Sequence, residues 1–347
     1  METIYSVVSE AESEIVARAG RIIRQGGLVA FPTETVYGLG GDAFNPRSAA
    51  GIYAAKGRPS DNPLIVHISQ LSDLDRVSDK VPDDARRLAE RFWPGPLTII
   101  MYKKDSLPDE TTGGLNTVAV RMPDHPVALA LIRESGTLIA APSANLSGRP
   151  SPTTGEHVRK DLYGRIDMIL DGGKVGIGLE STIVDLTGEV PCLLRPGYVS
   201  YEDLVSVLGR VDIDPAVTGS LKEGERPRAP GMKYRHYAPA GELLIVKGEP
   251  SAVTAKINEL VEGHLEKGES VGVIATAENA AAYKGNVKCI GDIRNEDEIA
   301  ANLFALLRAF DDEGTRYIYS EELYTPRLGM AVMNRLIKAA GHRILEV

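Results

Sequence analysis

The sequence predicts an α/β protein of two domains, the first a mixed α+β domain and the second a smaller three-layer domain. Helical segments and short apolar strands alternate along most of the 347 residues. In the first half some adjacent strands are joined by short connections, so its sheet should be mixed and flanked by helices. After residue 240 the alternation is regular, which favours a largely parallel, Rossmann-like sheet.

Helix and strand signals are clear in the first half. Segment 10–25 is amphipathic and ends at a glycine pair. Asn45 is an N-cap and Pro46 suits a first helical position, so a helix should span 46–56 and stop at Gly57. The other elements predicted here are helices at 82–92 and 126–134, and strands at 28–31, 64–68, 97–102, 117–121, 138–141, 168–171 and 182–185.

Residues 209–240 break this alternation, because they contain a charged, proline-rich stretch without periodicity. We therefore predict a first domain at 1–208, a linker at 209–240 and a second domain at 241–347. A plain tether would favour Gly, Ser and acidic residues, whereas this segment carries cationic, imidazole and tyrosine side chains. That composition favours docking on an anionic site over a passive tether.

The second domain shows a regular βαβ pattern. No phosphate-binding glycine fingerprint follows its first strand, where the sequence has Gly248 and Pro250. A scaffold or regulatory role is therefore favoured over chemistry of its own. Its predicted elements are strands at 243–246, 271–275, 288–291 and 317–320, and helices at 251–267, 296–310 and 329–340.

Composition narrows the class of protein. Hydrophobic residues make up 43% and charged residues 25%, which is typical of a globular protein. The net charge of −9 argues against non-specific coating of nucleic acid. Cys192 and Cys289 are too few for a structural zinc site or a disulfide framework. With no export signal and no apolar run of about 20 residues, we expect a cytoplasmic protein without a membrane span.

The run from Lys56 to Pro63 is the most informative stretch. Lys56 and Arg58 flank a glycine between a predicted helix and a predicted strand, and a turn with hydroxyl, carboxylate and amide groups follows. Arg offers a planar fork of donors and Lys a mobile point charge, which suits polyphosphate. The alternative is a solvated helix C-terminus, where cations are favoured by the helix dipole.

A glycine-rich segment at 31–43 follows a predicted buried strand. Its glycine spacing superficially matches a dinucleotide fingerprint, but the next helix starts only at Pro46 and the required acidic residue is missing. We predict a glycine-rich loop in which Thr33 and Thr35 either bind a small polar ligand or form the turn. The chain has no P-loop and no nucleophile elbow, so covalent catalysis is not indicated.

Several other predicted strands end in a polar side chain. Ser143 and Asn145 follow one strand among small residues, and Arg121 and Arg195 each end another. His67, inside a strand, is singly more typical of a core histidine. Taken alone, each residue has a structural explanation, such as a turn or an ion pair. Together, polar groups at many strand ends are typical of a ligand crevice in an open α/β sheet.

These segments together resemble the YrdC-like family, in its long two-domain form, the threonylcarbamoyl-AMP synthases. The resemblance covers nearly the whole chain, without departure at a motif position, and the combination is far more specific than any single motif. The segments that carry it are Phe31–Leu39, Lys56–Pro59, Trp93–Pro96, Pro142–Asn145, Ser181–Asp185, Arg195–Gly197 and Tyr234–Pro239.

The resemblance implies a twisted mixed sheet with a basic concave face and a nucleotidyltransferase activity. L-Threonine, bicarbonate and ATP would give L-threonylcarbamoyladenylate and pyrophosphate, with Mg2+ on the ATP phosphates. A downstream tRNA threonylcarbamoyltransferase complex would pass the group to the adenosine beside the anticodon. A weak tRNA contact is a further expectation. The linker is expected to act as an active-site lid that excludes water.

The resemblance also implies site residues. Lys56 and Arg58 would be catalytic, compensating charge on the phosphates together with Arg195. Threonine or its carbamate would be held by Thr35, His67, Arg121, the Ala141 backbone and Ser181. ATP would be held by Arg58, Asn62, Thr117, Ser143, Asn145, Ser151, Arg195 and Tyr237. No metal ligand from the protein is expected.

Two other functions compete with this one. Carbamoyl-adenylate chemistry of the hydrogenase-maturation type uses a related domain, but it predicts cysteine-rich zinc motifs upstream, which this chain lacks. A non-enzymatic RNA-binding module would use the same basic surface. The acidic net charge and an aromatic content of only 5% count against it.

Overall fold

A computed structural model of the protein describes residues 2–11, 13–217, 219, 227–232 and 236–347. Part of the predicted linker, including Tyr234 and Arg235, lies outside these residues. The chain forms two compact units. The first contains residues 1–147 and 151–233, and the second contains residues 148–150 and 234–347. Within the described ranges, no helix is long and apolar enough to cross a bilayer.

The first unit contains a mixed sheet and flanking helices. Its strands run in the order β1-β8-β2-β3-β7-β4-β6-β5-β9-β10-β11. The strands are β1 Ile4–Val7, β2 Val29–Phe31, β3 Gly38–Asp42, β4 Ile65–His67, β5 Leu97–Tyr102, β6 Thr117–Arg121, β7 Ile139–Ala141, β8 Met168–Asp171, β9 Thr182–Asp185, β10 Cys192–Arg195 and β11 Asp212–Ile213. The helices are α1 Glu14–Arg24, α2 Pro46–Lys56, α3 Leu74–Val77, α4 Asp83–Phe92, α5 Asp109–Thr112, α6 Pro126–Ser135, α7 Gly155–Leu162 and α8 Tyr201–Leu208.

Strand β3 corrects the sequence prediction, because residues 38–42 form a strand and not a glycine-rich loop. It pairs antiparallel with both β2 and β7. A Cβ on Gly40 would lie 2.6 Å from Cγ2 of Ile139 and 2.9 Å from the ring of Phe31. The glycines therefore allow close side-chain packing inside the sheet, which is a common reason for glycine in a strand.

The two faces of this sheet are covered differently. Helices α2, α4 and α8 pack on one face. Helices α1 and α6 cover part of the other. Next to them on that second face, Ile65 and Ala119 pack against Ala229 and Met232, from the segment 227–232. Because side chains alternate along a strand, His67 and Arg121 lie on this second face as well.

The second unit is a parallel sheet between helices, so the predicted fold class is confirmed for both halves of the chain. Its strand order is β14-β13-β15-β12-β16, with every recorded pairing parallel. Its elements are β12 Glu242–Lys247, β13 Val271–Thr276, β14 Asn286–Gly291, β15 Tyr317–Glu321, β16 Ile344–Glu346, α9 Pro250–Leu265, α10 Glu296–Asp312 and α11 Gly329–Ala339.

Candidate active site

Parallel strands β4 and β6 set the two ends of the candidate site. Their register pairs His67 with Arg121 at the strand ends. Thr117 is the first residue of β6, and Asn62 lies shortly before β4. Ala141 ends the antiparallel neighbour β7 beside the start of β4. At about 3.3 Å per residue, the two ends of β6 are roughly 13 Å apart. His67 and Arg121, predicted to bind threonine, thus lie at one end, and Asn62 and Thr117, predicted to bind ATP, lie at the other. Ala141 was predicted to bind threonine but lies at the second of these ends.

Arg121 is the centre of the first end, and its side chain is 5% exposed. Its Nη1 donates to Oγ1 of Thr35 at 2.9 Å, and its Nε donates to the carbonyl of Gly95 at 3.3 Å. Its Nη2 lies 2.6 Å from Oε1 of Glu34. A buried guanidinium held on three sides is well placed to bind a carboxylate through its remaining donors.

A local turn places Thr35 beside Arg121. The hydroxyl of Thr33 accepts from the backbone N–H of Thr35 and donates to the carbonyl of Val36 at 2.7 Å. The hydroxyls of Thr33 and Thr35 lie 2.9 Å apart. Thr33 therefore forms the turn, which was one of the two interpretations offered above, and Thr35 is the hydroxyl that contacts the guanidinium.

His67 is buried, and its Nδ1 lies 3.1 Å from the carbonyl of Ile65. Burial, and to a smaller extent the charge of Arg121, lower the pKa of His67 to about 3. The ring is therefore neutral at physiological pH. Since a carbonyl only accepts, Nδ1 carries the proton and donates it. His67 can offer a neutral imidazole to a ligand but no positive charge.

Ser181 lies in a buried polar cluster near the same end. Its hydroxyl is 2.7 Å from that of Thr98. Arg195 donates from Nη2 to this hydroxyl at 3.1 Å and from Nε to the Ser181 carbonyl at 3.0 Å. Ile99 of β5 pairs with Val120 of β6, so the adjoining residues Thr98 and Arg121 lie at the same end of these two strands. The structure therefore brings Ser181 and Arg195 together, although they were predicted to hold different substrates.

The segment 227–232 lies over the sheet face that carries these residues. Nη1 of Arg195 donates to the carbonyl of Pro230 at 3.4 Å. Arg228 forms an ion pair of 2.8 Å with Asp185 and a second, closer one with Asp214. This part of the predicted linker is therefore docked on the first unit by apolar, polar and charged contacts.

Lys56 belongs to the second end of the site. It is the last residue of α2 and is 2% exposed. Its ammonium donates to the carbonyl of Asn145 at 2.5 Å and to the carbonyl of Ser143. The alternative of a solvated helix C-terminus is therefore wrong. Lys56 fixes the loop that follows β7.

Arg58 is also buried and holds the turn before β4. It donates from Nε to the carbonyl of Asn62 at 3.3 Å and from Nη2 to that of Pro63 at 3.1 Å. Within the described chain, Oδ1 of Asn62 is buried and has no hydrogen-bond partner. A buried acceptor of this kind needs explaining, and a ligand N–H or hydroxyl would satisfy it.

The loop after β7 supplies further polar groups. The hydroxyl of Ser143 donates to Oδ1 of Asn145 at 2.5 Å, and Nδ2 of Asn145 donates to the carbonyl of Leu146 at 2.7 Å. Ser151 donates its hydroxyl proton to Glu180. Because that proton is used, the Ser151 oxygen can act only as an acceptor toward a ligand.

Tyr237, the remaining predicted residue, lies in the second unit. Its backbone has φ of 63°, which is uncommon for a residue with a side chain. Its ring stacks on Phe304 with 5.2 Å between centroids, and the next residue, Ala238, donates its N–H to the carbonyl of Gly148 at 2.9 Å. These contacts fix Tyr237 within the second unit.

Sequence reasoning missed Glu34, Thr98 and Glu180. Glu34 lies inside the segment Phe31–Leu39, but the sequence of that segment does not show that Glu34 contacts Arg121. Thr98 and Glu180 touch predicted residues 83 and 29 positions away. For Thr98, the polar residue in an otherwise apolar strand was the available signal, since a strand buried on both faces favours apolar residues.

Comparison with known proteins identifies the family. The Sua5/YciO/YrdC family, described as "Telomere recombination", matches residues 21–197, and "Threonylcarbamoyl-AMP synthase, C-terminal domain" matches residues 199–341. A threonylcarbamoyl-AMP synthase of Pyrococcus abyssi is 48% identical over 347 residues, 100% of both chains. That of Bacillus subtilis is 48% identical over 333 residues, 95% of this chain and 94% of the relative.

Solved structures agree. The crystal structure of P. abyssi Sua5 complexed with L-threonine matches with a TM-score of 0.93 at 48% identity, over 99% of this chain and 100% of that one. The resemblance stated from the sequence motifs is thereby confirmed. This chain belongs to the Sua5/YciO/YrdC family, in the two-domain form that carries the threonylcarbamoyl-AMP synthase C-terminal domain.

Proposed function

We propose that this protein is a nucleotidyltransferase that makes L-threonylcarbamoyladenylate and pyrophosphate from L-threonine, bicarbonate and ATP. One observation carries the proposal. Arg121 and Thr35 form a buried guanidinium–hydroxyl pair at one end of β4 and β6, while Asn62 and Thr117 lie at the other end. The names of the full-length relatives, and the threonine complex of one of them, support the same substrate.

The reaction needs positioning more than it needs a reactive side chain. The threonine nitrogen is first carboxylated, and a carbamate oxygen then attacks the α-phosphorus of ATP. As that O–P bond forms, the bond from the α-phosphorus to the α,β-bridging oxygen breaks, and its electron pair leaves with pyrophosphate. The substrate supplies the nucleophile. Correct orientation can lower the barrier by about 7–11 kcal/mol.

We assign the first end of the site to threonine. Arg121 binds the α-carboxylate, since its buried guanidinium can form charge-assisted hydrogen bonds. Thr35 and Ser181 offer hydroxyls and His67 a neutral imidazole. The Ala141 backbone, which lies beside the start of β4, is assigned to the threonine carbamate. The threonine side chain is small, so buried donors and acceptors decide its fit.

We assign the second end to ATP. Lys56 and Arg58 are the catalytic cations at this end, and Arg195, which contacts Ser181 near the first end, adds a third positive charge from that side. These cations and neutral donors suit phosphate oxygens, and Mg2+ bound to the ATP phosphates would neutralise further negative charge without a cage of protein ligands. The remaining ATP contacts are assigned to Asn62, Thr117, Ser143, Asn145, Ser151 and Tyr237.

The docked segment 227–232 is assigned the role of a lid, with the linker spanning 209–240 between domains at 1–208 and 241–347. Covering the sheet face excludes water and protects the mixed anhydride from hydrolysis. The product is labile, so a tRNA threonylcarbamoyltransferase complex in the cytoplasm must consume it directly. A weak contact with tRNA would serve that transfer.

Pyrophosphate release from ATP by the purified full chain tests this function. Release should require both L-threonine and bicarbonate, and omission of either should abolish it. Release supported instead by carbamoyl phosphate would favour hydrogenase-maturation chemistry. Retention of RNA without turnover would favour an RNA-binding module.

A further inference from the structure

Glu34 lies between the turn that carries Thr35 and the guanidinium of Arg121. Its Oε1 is 2.6 Å from Nη2 of Arg121, and its side chain is 13% exposed. Its backbone carbonyl accepts from the N–H of Ile177 at 2.8 Å, which fixes this residue in the fold. The carboxylate therefore contacts the same guanidinium as Thr35, one of the groups assigned to threonine.

The hydrogen bonding of this pair is incomplete. Both carboxylate oxygens of Glu34 and Nη2 of Arg121 are buried, and in the described part of the chain none of them makes a hydrogen bond of good geometry. The ion pair is close in distance, but no N–H points at the oxygen. Burying a charge without hydrogen bonds is costly, so such a cluster calls for a missing partner.

We propose that Glu34 binds the α-ammonium group of L-threonine while Arg121 binds its α-carboxylate. This inference rests on the proposed function and deepens it. A threonine zwitterion carries an anion and a cation a few bonds apart, and the Glu34–Arg121 pair presents the two opposite charges side by side. A bound zwitterion supplies donors to both Glu34 oxygens and an acceptor to Nη2.

The same contact gives Glu34 a chemical role. One ammonium proton passes to the Glu34 carboxylate, which frees the nitrogen lone pair. The lone pair forms the N–C bond to CO2 in equilibrium with bicarbonate, and a C=O π pair moves onto the carbamate oxygen. A second nitrogen proton leaves to solvent, so carbamate, protonated Glu34 and one released proton balance the step.

The charge of Glu34 also acts on His125. Burial lowers the pKa of His125, against the opposing effect of the Glu34 charge. Its Nδ1 accepts the N–H of Val127 at 3.2 Å, as the N-cap of α6. A neutral His125 does not compete with a substrate ammonium for the carboxylate.

Calorimetric binding of two ligands tests this inference. L-Threonine is compared with 2,3-dihydroxybutanoate of matching configuration, in which a hydroxyl replaces the ammonium. The wild-type chain should bind threonine about 10- to 100-fold more tightly, as expected for a buried charge-assisted contact. Glu34→Gln should weaken threonine binding by about the same factor and leave the analogue unchanged. Exposed Glu90→Gln is the matched control.

Each outcome decides a different claim. Threonine binding with an unchanged preference over the analogue in Glu34→Gln overturns the role of Glu34 but leaves the proposed function standing. Absence of threonine binding to the wild-type chain overturns both. If Glu34→Gln does not fold, as judged by circular dichroism, the wild-type comparison decides. Equal affinity for both ligands then contradicts the inference, and a clear preference for threonine supports it.

Discussion

The ammonium of Lys56 and the backbone carbonyl of Asn145 are joined by a hydrogen bond of 2.5 Å, across 89 residues of sequence. This contact links the end of α2 to the loop after β7. Lys56 is thus buried inside the fold, where it holds the backbone of the loop that carries Ser143 and Asn145. The charge compensation on phosphate that we propose for Lys56 therefore depends on the position of that loop.

Lys56→Met should destabilise the first unit. Methionine is an unbranched side chain of similar size to lysine, but it leaves the carbonyls of Ser143 and Asn145 without their buried donor. We expect the free energy of unfolding to fall by about 2–4 kcal/mol. Trp93 is the sole tryptophan and is buried in this unit, so its fluorescence in urea reports the change. Exposed Lys80→Met is the control, and equal stability of the two variants would contradict the account.

Arg121→Gln should weaken the binding of threonine far more than the binding of ATP. The guanidinium lies at the threonine end of the site, roughly 13 Å along β6 from Thr117. We expect KM for threonine to rise about 100-fold, while the Kd for ATP changes less than about threefold, because a buried charged hydrogen bond is lost at one end alone. Steady-state kinetics and nucleotide titration measure the two constants. A parallel loss of both affinities would show that the ends are not separate.

His67 should make stability depend on pH. Its pKa is lowered from 6.5 to about 3, first by burial and then by Arg121. Below about pH 6.5 the unfolded chain binds a proton that the folded chain does not, so stability from this residue is present above that pH and lost as pH falls toward 3.

The pH dependence of stability is compared between the wild-type chain and the variant His67→Asn. Between about pH 6 and pH 4, the free energy of unfolding of the wild-type chain should fall about 1.4 kcal/mol per pH unit more steeply than that of the variant. Urea unfolding at a series of pH values measures both slopes. Parallel profiles would mean that His67 takes up its proton in the folded state.

Arg228→Gln should loosen the lid. Arg228 ties segment 227–232 to Asp185 and Asp214. Its loss should expose the mixed anhydride to water, so hydrolysis of L-threonylcarbamoyladenylate to AMP should become several-fold faster. Chromatography of AMP and intermediate over time gives the rate. Exposed Arg210→Gln is the control, and an unchanged lifetime of the intermediate in Arg228→Gln would reject the lid.

Local signals explain the elements that the sequence predicted well. The helix at 46–56 was predicted to the residue, because Asn45 accepts the N–H of Arg47 at 3.0 Å and Gly57 adopts φ of 63°. Strand β3 was missed because its glycines look like loop signals, whereas close neighbours in the sheet require them. Helix α8 was missed despite its capping box at Ser200 and Asp203.

The site was predicted less evenly. The family resemblance implied Thr35, His67 and Arg121 as threonine-binding residues, and the structure places all three near one end of β4 and β6. Neither motif nor periodicity could pair Thr98 with Ser181, because that contact depends on how β5 and β9 align. The burial of Lys56 likewise follows from tertiary packing, whereas a sequence shows only that a cation ends a helix.

In the proposed mechanism threonine and the triphosphate bind at two separate ends of one site. A crystal structure of the full chain with L-threonine and α,β-methylene-ATP tests this most directly. It should show the threonine carboxylate within hydrogen-bonding distance of Arg121, and phosphate oxygens close to Lys56 and Arg58. A nucleotide bound away from these cations, or threonine bound away from Arg121, would contradict the central claim.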